Sequence, residues 1–319
     1  MKISVNTMLQ YMIILLDDTS TSFCHYNVNI TERQLISLDD LQAGIRLAMI
    51  ENLTIQFVYP DYNLPQEYKD VIHTIDHSNI APVGRDISNA DVVALDNWPV
   101  ETQHLASHVV VIRTPLQDLI FHRKELNALL DVVQRLNIVI TDVEQFSEEQ
   151  QDAYREWLNK IGADVEKLYV SGKSPQFNLL TDRMMLTAMN NCGAGDTCIT
   201  LAPNGKFYIC PAFYYENSED TVGDLVNGID IKNKQLYKLD YAPICRNCDA
   251  WQCKRCIWLN RKLTLEVNTP SHEQCVMAHL ERNASRDLMA NIRKQGSFLP
   301  ENPDIPEIDY LDPFDNINK

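Results

Sequence analysis

The sequence predicts an α/β protein in which a partial β/α barrel is followed by a small cysteine-rich domain and a C-terminal helix. Two observations support this fold class. Short apolar runs rich in Val and Ile alternate with longer helical patterns through most of the chain. Eight of the nine cysteines then lie between Cys192 and Cys275. We therefore predict a barrel-like domain at residues 1–185, a cysteine-rich domain with its helix at 186–295, and a tail rich in Pro and Asp at 296–319.

Six apolar runs in the first domain are predicted to be strands. Their nearly continuous apolar character is typical of strands that are covered on both faces of a sheet. Because helical patterns separate them, neighbouring strands should be parallel and joined by right-handed crossovers. These units are too few for a complete barrel, so a partial barrel or an open sheet is expected. The predicted strands are Tyr11–Leu16, Thr54–Tyr59, Asp91–Leu95, His108–Arg113, Asn137–Thr141 and Lys167–Val170.

The helices are indicated by capping residues, by proline in a first turn and by apolar side chains at helical spacing. The clearest capping box pairs Ser147 with Gln150. The first predicted helix follows Ser37 and has a buried stripe of Leu38, Leu41, Ile45, Ala48 and Met49. The others start near Leu64 and Pro65, run from Pro115 to about Leu136, start at Ser147, and run after Cys275 to about Lys294.

The cysteine-rich segment is predicted to contain a β-hairpin. Its arms are 199–202 and 206–209, and Pro203-Asn204-Gly205 forms the tight turn between them. The hairpin would carry Cys198 on one arm and Cys210 on the other. Two Cys-x2-Cys pairs follow it in the chain, and a turn in such a pair presents both thiolates to one metal.

The 319-residue chain carries a net charge of −16, with an isoelectric point near 4.9. This charge repels the phosphates of nucleic acid and opposes non-specific binding to them, whereas a basic partner or substrate suits it. The apolar run Tyr11–Leu16 is too short to span a bilayer, and no small-residue cleavage site follows it. We therefore expect a cytoplasmic protein with reduced thiols, and neither nucleic acid nor a membrane as its partner.

The ends of the first two predicted strands are candidate sites, because chemistry in folds of this class is found where parallel strands end. The first strand is followed by the polar segment 17–26 and the second by 59–62. Cys24 and His25 are adjacent in the first segment and are candidates for a ligand pair or for a nucleophile and its base. The alternative is a thiol beside a solvated imidazole, with no part in catalysis.

Two histidine pairs have the i, i+4 spacing that would place both rings on one face of a helix: His73 with His77, and His104 with His108. No glutamate occupies the position of the general base in a zinc protease motif, so structural or surface roles are predicted for these histidines. The glycine patterns of dinucleotide-binding and Walker loops are absent from the sequence.

Eight cysteines are enough for two four-cysteine metal sites. The close pairs Cys245-x2-Cys248 and Cys253-x2-Cys256 favour metal binding over disulfides. Spacing alone leaves both iron and zinc open. A compact zinc site made by these two pairs would leave the other four cysteines without a comparable role, which favours iron–sulfur clusters. Those four are Cys192, Cys198, Cys210 and Cys275.

The order of the eight cysteines resembles the SPASM domain, which follows the catalytic barrel in many radical S-adenosylmethionine (SAM) enzymes that modify peptides. Gly205-x4-Cys210 and Val222-Gly223-Asp224-Leu225 also match its short motifs. The last two gaps between the central cysteines are each one residue shorter than in the usual family pattern. The resemblance implies two auxiliary 4Fe–4S clusters, one held by Cys192, Cys198, Cys210 and Cys256 and the other by Cys245, Cys248, Cys253 and Cys275.

The first domain resembles the barrel of the same enzymes without its cofactor site. Their Cys-x3-Cys-x2-Cys motif follows the first strand, and here only Cys24 matches it, because Asp17 and Thr21 occupy the other two positions. The glycine-rich motif that binds the methionine amine would fall at 57–60, where only Pro60 remains. The resemblance therefore implies that S-adenosylmethionine is not bound.

Over its whole length, the chain resembles the CXXX repeat peptide maturase family. This resemblance implies an accessory maturase that works with a radical SAM partner on a repeat-bearing precursor peptide. The alternative is a non-catalytic scaffold that binds a peptide or a partner and whose iron–sulfur or zinc sites only stabilise the fold. The two functions differ in whether the bound metal is redox active.

Overall fold

The computed structural model describes residues 9–30, 32–84 and 87–307 of the chain. No helix within these ranges is long and apolar enough to cross a membrane. The strands are short, and they are numbered in chain order. They are β1 (Tyr11–Leu15), β2 (Thr54–Val58), β3 (His77–Pro82), β4 (Val92–Leu95), β5 (Val109–Thr114), β6 (Arg135–Ile140), β7 (Gln176–Phe177), β8 (Cys198–Leu201), β9 (Phe207–Tyr208), β10 (Gly223–Asp224) and β11 (Gly228–Ile229).

Three of the α-helices begin at serines that cap them. Ser37, Ser147 and Ser271 each accept a hydrogen bond from the backbone N–H three residues later. The helices are α1 (Leu38–Glu51), α2 (Gln66–Ile72), α3 (Leu116–Phe121), α4 (Arg123–Leu130), α5 (Glu148–Val170), α6 (Thr181–Met185), α7 (Pro211–Glu216), α8 (Ile257–Thr264) and α9 (His272–Gln295).

The chain folds into two compact units, each built from two separate stretches. The first unit holds Met1–Leu95 and Gly193–Tyr241, and the second holds Asp96–Cys192 and Ala242–Lys319. Each unit thus combines part of the strand–helix segment with part of the cysteine-rich segment. This division by contacts differs from the predicted sequence boundaries after residues 185 and 295, which remain a prediction.

The first unit contains a sheet with the strand order β4-β3-β2-β1-β8-β9. Its neighbouring strands are parallel except for β8 and β9, which are antiparallel. Met12, Ile14, Ile55 and Phe57 of β1 and β2 are fully buried, as expected for strands at the centre of a sheet. The mainly parallel strands and their intervening helices confirm the predicted α/β class.

Helix α1 packs in the same hydrophobic cluster as β1 and β2. Its start is the predicted one, since the Asp40 N–H donates to Ser37 Oγ at 3.0 Å. Leu41 and Ala48 are fully buried, as predicted. The predicted stripe is wrong at Met49, which is 63% exposed, because the buried face is centred on Leu41 and Ala48 and Met49 lies beyond its edge.

The predicted hairpin is formed by β8 and β9, in which Thr200 pairs with Tyr208. Gly205 in the turn has a φ of 72°, a conformation that favours glycine. Cys198 is the first residue of β8, and Cys210 directly precedes α7. The hairpin therefore carries one cysteine at the start of its first arm and one just beyond its second arm.

The second unit contains a parallel sheet with the order β7-β6-β5. Its two longest helices, α5 and α9, pack against each other. The predicted capping box starts α5, where Ser147 and Gln150 exchange both hydrogen bonds. A second capping box, formed by Ser271 and Gln274, starts α9, so that this helix begins before Cys275 and not after it.

Two predicted elements of the second unit are wrong. Residues Lys167–Val170 form the last turn of α5 and not a strand, because the helical spacing of buried residues continues through Val165 and carries the helix past this short run. The helix predicted from Pro115 to about Leu136 is two helices, α3 and α4, which are separated at His122. Strand β6 begins at Arg135, within the range predicted to be helical.

Neither histidine pair shares a helix. His73 ends α2, whereas His77 begins β3, a strand that the sequence pattern does not predict because its first three residues are polar. His104 lies in a 3-10 turn, and His108 precedes β5. The helical arrangement that the i, i+4 spacing requires for a zinc site is therefore not formed by either pair.

The first part of the predicted tail is laid along the second unit. Ile305 is buried, and Asn302 Nδ2 donates to the Met184 carbonyl oxygen at 2.9 Å. Arg293 pairs with Asp304 at 2.5 Å. Residues 308–319 of the predicted tail lie outside the described residues.

Candidate metal centre and strand-end site

Tight turns position the thiols of the two Cys-x2-Cys pairs, all of which belong to the second unit. Cys245 begins a 3-10 turn, and the Cys248 N–H donates to the Cys245 carbonyl oxygen at 3.1 Å. The Cys253 N–H donates to the Ala250 carbonyl oxygen at 2.9 Å. Cys275 lies in the first turn of α9 in the same unit. Backbone hydrogen bonds therefore hold the turns from which these side chains project.

Cys245, Cys248, Cys253 and Cys275 form one electrostatic group, which we call the four-thiol set. Burial, with smaller effects from neighbouring thiols of the same set, raises the pKa values of Cys245, Cys253 and Cys275 to about 12 each. Burial also raises the pKa of Cys248. Four thiolates at this place would repel one another in a poorly solvated site, so their formation requires a compensating cation such as iron or zinc.

Cys192 and Cys256 form a separate pair in the same unit. Burial, with a smaller effect from the neighbouring Cys192, raises the pKa of Cys256 to about 12. The Cys192 N–H donates to the Lys254 carbonyl oxygen at 3.2 Å, which holds it beside this segment. Arg255 has a φ of 47°, which is uncommon for a residue other than glycine. Arg255 lies between Cys253 and Cys256. Cys253 has Cys245 and Cys248 as neighbours, whereas Cys256 has Cys192.

The remaining two clustered cysteines, Cys198 and Cys210, belong to the first unit. Cys198 is buried, and its N–H donates to the Gly193 carbonyl oxygen at 2.9 Å. The second ligand set that the resemblance implies, with Cys192 and Cys256, is therefore divided between the two units. Joint ligation by these four cysteines stays a prediction.

Two ligand types other than cysteine lie next to Cys248. His279 Nε2 is 3.6 Å from Cys248 Sγ, and Asp249 follows Cys248 in the chain. Both side chains are buried. The ligand atoms of Cys248, Asp249 and His279 all lie within 4.8 Å of one another, and no other group of three His, Cys, Asp or Glu side chains in the described ranges meets this criterion.

The separation of the cysteine sulfurs bears on which metal fits the four-thiol set. A tetrahedral zinc ion with Zn–S bonds of about 2.3 Å brings its sulfurs to about 3.8 Å from one another. No three cysteine sulfurs of the described residues lie within 4.8 Å of one another. The described thiols of the four-thiol set therefore do not have the sulfur spacing of a closed zinc site.

Two buried guanidinium groups lie beside Cys248. Arg282 is fully buried, and its Nη1 donates to Asp249 Oδ1 at 2.6 Å. Arg183 Nε donates to the Asp249 carbonyl oxygen at 2.7 Å, and its guanidinium lies 4.0 Å from the centre of the Trp251 ring. Both arginines oppose the effect of burial on the pKa of Cys248. Their positive charge favours anionic sulfur at this position.

In the first unit, the two candidate segments at the ends of β1 and β2 meet. Asp17 is fully buried and accepts hydrogen bonds from the Tyr62 hydroxyl at 2.7 Å and from the Thr19 N–H at 2.8 Å. Ser20 Oγ accepts from the Asp17 N–H at 3.0 Å and donates to the Val58 carbonyl oxygen at 2.8 Å. The loop after β1 is therefore held closed by its own side chains and by the end of β2.

Asp18 is enclosed in a similar way. Its carboxylate accepts a hydrogen bond from the Tyr214 hydroxyl, and burial raises its pKa. Tyr215 stacks on Tyr26 with the ring centroids 5.2 Å apart, and its hydroxyl donates to the Ser20 carbonyl oxygen at 3.4 Å. Burial also raises the pKa values of Tyr214 and Tyr215, so both hydroxyls remain protonated donors. Aromatic side chains from α7 thus cover the strand-end loop.

Asp17 and Thr21, the two positions at which the sequence resemblance would place cysteines, contribute to this loop. Asp17 is buried in it, and the Thr21 N–H donates to the Tyr59 carbonyl oxygen at 3.0 Å. Cys24, at the third position, is exposed, and His25 is partly exposed. A catalytic or ligand role for Cys24 and His25 stays a prediction.

Sequence reasoning missed three residues of the metal centre: Asp249, His279 and Arg282. Two of them had a signal, because Cys275, His279 and Arg282 are spaced i, i+4 and i+7 and therefore lie on one face of α9. Asp249 is adjacent to a predicted ligand, but a neighbouring carboxylate is common in exposed turns and is a weak signal.

Comparison with solved structures identifies the fold. One similar structure is hexahistidine-tagged anSMEcpe with bound AdoMet: it has a TM-score of 0.63 and 11% sequence identity, and the match covers 89% of this chain and 96% of that chain. Another is native anSMEcpe with bound AdoMet and Cp18Cys peptide, with a TM-score of 0.62 and 13% identity over 89% of this chain and 99% of that chain.

These matches show that the chain shares the α/β fold of anSMEcpe along most of its length. At such low identity they show the fold alone, and they do not transfer a substrate or a cofactor. No family model matches the chain, and no curated protein matches it. The resemblance to the CXXX repeat peptide maturases is therefore not confirmed.

Proposed function

We propose that the chain is an accessory protein of peptide maturation that binds two 4Fe–4S clusters and works with a radical SAM partner on a precursor peptide. The grouping of Cys245, Cys248, Cys253 and Cys275 carries this proposal, because it provides one complete set of cluster ligands within a single unit. In the same unit, the separate pairing of Cys192 with Cys256 supports a second set.

The donors of the four-thiol set fit an iron–sulfur cluster. Thiolates are the usual ligands of such clusters, and the described sulfurs do not have the spacing of a closed zinc site. Arg282 and Arg183 supply positive charge beside Cys248, which suits the negative charge of a thiolate-bound cluster. When bound, the cluster would accept and donate single electrons, or offer an iron to a peptide thiol.

The strand-end loop supports an accessory role in place of independent radical chemistry. Two of the three family cysteine positions are Asp17 and Thr21, and Asp17 is held by Tyr62. Tyr214 and Tyr215 cover the rest of the loop. One thiolate, that of Cys24, cannot hold a cluster that requires three.

The second candidate function is a scaffold that binds a peptide or a partner and whose metals are structural. The tyrosine-covered loop of the first unit is compatible with it, because it provides a folded surface without evident chemistry. A redox titration of the bound clusters distinguishes the two functions. Reversible reduction at potentials accessible to cellular reductants favours the accessory maturase, and its absence favours the scaffold.

Co-expression tests the proposed function. We expect a basic precursor peptide to be modified only when this chain, the radical SAM partner and the peptide are present together, as detected by a mass change of the peptide. Full modification without this chain, or modification by this chain alone, would exclude the accessory role. Variants with Cys245 replaced should lose modification, because they lack one cluster.

A matched pair of charge reversals tests where the peptide binds. Asp17 and Asp18 are unsuitable because they are buried, whereas the Asp61 side chain is 66% exposed at the end of β2. Asp61→Lys should weaken peptide binding about threefold at low salt, and this difference should shrink as salt rises. Glu149→Lys makes the same change of charge at an exposed position on α5 of the other unit and should leave binding unchanged.

The isolated chain is expected neither to bind nor to cleave S-adenosylmethionine. The physical reason is that the strand-end loop lacks two of three cluster thiolates and is filled by hydrogen-bonded Asp17, Tyr62 and Tyr214. Calorimetry with S-adenosylmethionine, and chromatography for 5′-deoxyadenosine after chemical reduction, measure both expectations. Formation of 5′-deoxyadenosine by the purified chain would show that it holds a radical site of its own.

A further inference from the structure

Three ligand atoms of different elements lie close together next to the four-thiol set. They belong to Cys248, Asp249 and His279. Their sulfur, oxygen and nitrogen atoms lie within 4.8 Å of one another, which no three cysteine sulfurs of the described residues do. His279 comes from α9, one turn after Cys275, whereas Cys248 and Asp249 come from the turn that follows Cys245. The packing of α9 on this turn therefore creates the group.

The imidazole of His279 is held as metal-binding histidines are held. Its Nδ1 lies 2.7 Å from the Cys275 carbonyl oxygen. A carbonyl oxygen can only accept, so Nδ1 carries the hydrogen, and in the neutral ring the lone pair is on Nε2. Nε2 is the atom that faces Cys248 Sγ at 3.6 Å. A histidine that donates its other N–H to a backbone carbonyl is the usual arrangement around a bound metal.

Asp249 supplies a second, independent indication of a ligand. Its side chain is buried, and Oδ1 accepts a hydrogen bond from Arg282 Nη1 at 2.6 Å. Its other oxygen, Oδ2, is buried without a hydrogen-bond partner in the described structure. Buried carboxylate oxygens are normally satisfied, so this oxygen calls for a donor or a cation. Arg282 fixes the orientation of the carboxylate, as outer partners do for ligating carboxylates.

We propose that Cys248, Asp249 and His279 form a mononuclear site for a divalent transition metal of the zinc type. A mixed set of one sulfur, one oxygen and one nitrogen suits such an ion, and three protein ligands leave a fourth position for water or for a thiol of a bound molecule. Because Cys248 also belongs to the four-thiol set, this site is available only in the chain whose four-thiol set holds no cluster, and loading of the cluster would displace the ion.

This site does not depend on the peptide function, and its test needs no iron. Cobalt(II) is the probe, because it replaces zinc and its absorption reports thiolate ligation. The triple variant Cys245→Ser, Cys253→Ser, Cys275→Ser removes the other thiols of the set and keeps the proposed site, since His279 is held by the backbone of residue 275. We expect this full-length variant to bind one cobalt ion, with a single thiolate-to-cobalt charge-transfer band.

Adding His279→Gln to the triple variant should weaken cobalt binding at least about a hundredfold, because loss of an outer partner alone already costs about 10- to 100-fold. Adding Asp249→Asn should weaken it less. His272→Gln, which removes an exposed imidazole from the same helix, is the matched control and should leave the affinity unchanged. Equal cobalt affinity with and without His279→Gln, or a folded triple variant that binds no cobalt, would overturn the proposal.

The wild-type chain prepared without its clusters provides a second readout if the triple variant does not fold. At one equivalent of cobalt, a ligating His279 should give an exchangeable, paramagnetically shifted proton resonance from its Nδ1–H, and this signal should vanish in His279→Gln. Bound cobalt that gives no such resonance in the wild-type chain would show that the imidazole is not a ligand. Failure of the accessory function in co-expression would leave both cobalt results unchanged, so the two proposals fail separately.

Discussion

Replacing Cys253 and Cys256 together should remove both iron–sulfur clusters, although these cysteines are only three residues apart. Cys253 belongs with Cys245 and Cys248, whereas the cysteine neighbour of Cys256 is Cys192. Each single serine variant should therefore fall from about eight iron atoms and eight sulfides to about four of each per chain, and the double variant to nearly none. Iron and sulfide analysis of anaerobically prepared protein measures this.

The double variant distinguishes the two ways of connecting the central cysteines. If Cys245, Cys248, Cys253 and Cys256 formed one compact site, the single variants would damage the same site, and the double variant would retain the metal bound elsewhere. Cys24→Ser is the control, because this exposed thiol lies outside the clustered cysteines, and it should keep both clusters. Stoichiometric zinc without sulfide in the wild-type chain would contradict the iron–sulfur assignment altogether.

Loss of a cluster should also destabilise the fold around it. The four-thiol set lies on the turn after Cys245 and on α9, so a bound metal would cross-link these two segments. Losses of metal ligation are among the few changes that exceed about 4 kcal/mol in the free energy of unfolding. Each serine variant of the set should accordingly unfold at a lower denaturant concentration than the cluster-loaded wild type.

Local signals in the sequence predicted those parts of the structure that local interactions determine. The capping box of Ser147 and Gln150 marks the start of α5, because both of its hydrogen bonds are made within four residues. The turn at Gly205 predicts the hairpin for the same reason. The meeting of Asp17 with Tyr62 was also predictable, since the carboxyl ends of neighbouring parallel strands lie side by side.

The rest depended on packing between distant segments. Lys167–Val170 has the composition of a strand, and only the continuing burial of α5 makes it helical. Asp249 and His279 meet because α9 packs on the turn after Cys245, and no local pattern indicates that contact. The division of the cysteines between two units has the same origin, because each unit combines stretches that are far apart in the chain.

The stability of the protein should depend on pH through Glu281, a buried carboxyl on α9. Burial raises its pKa to about 8, from an ordinary value of 4.5, although the Tyr154 hydroxyl donates to its Oε1 at 2.8 Å. Between these two pH values the folded chain holds a proton that the unfolded chain has released. The contribution of Glu281 is therefore fully present at low pH and is lost as pH rises through about 8.

Glu281→Gln should remove this pH dependence, because glutamine keeps the shape and an acceptor for Tyr154 but cannot ionise. We expect the variant and the wild type to have similar free energies of unfolding near pH 5, and the variant to be more stable near pH 9 by up to about 5 kcal/mol. Urea unfolding of the metal-free chains, followed by tryptophan fluorescence, gives the difference between them at each pH. The clustered cysteines are the same in both proteins, so their titration cancels in this difference.

Glu149→Gln, at an exposed position on α5, controls for the loss of one carboxylate. If the difference between Glu281→Gln and the wild type stays constant from pH 5 to 9, Glu281 is not the buried acid that the packing of α5 on α9 implies.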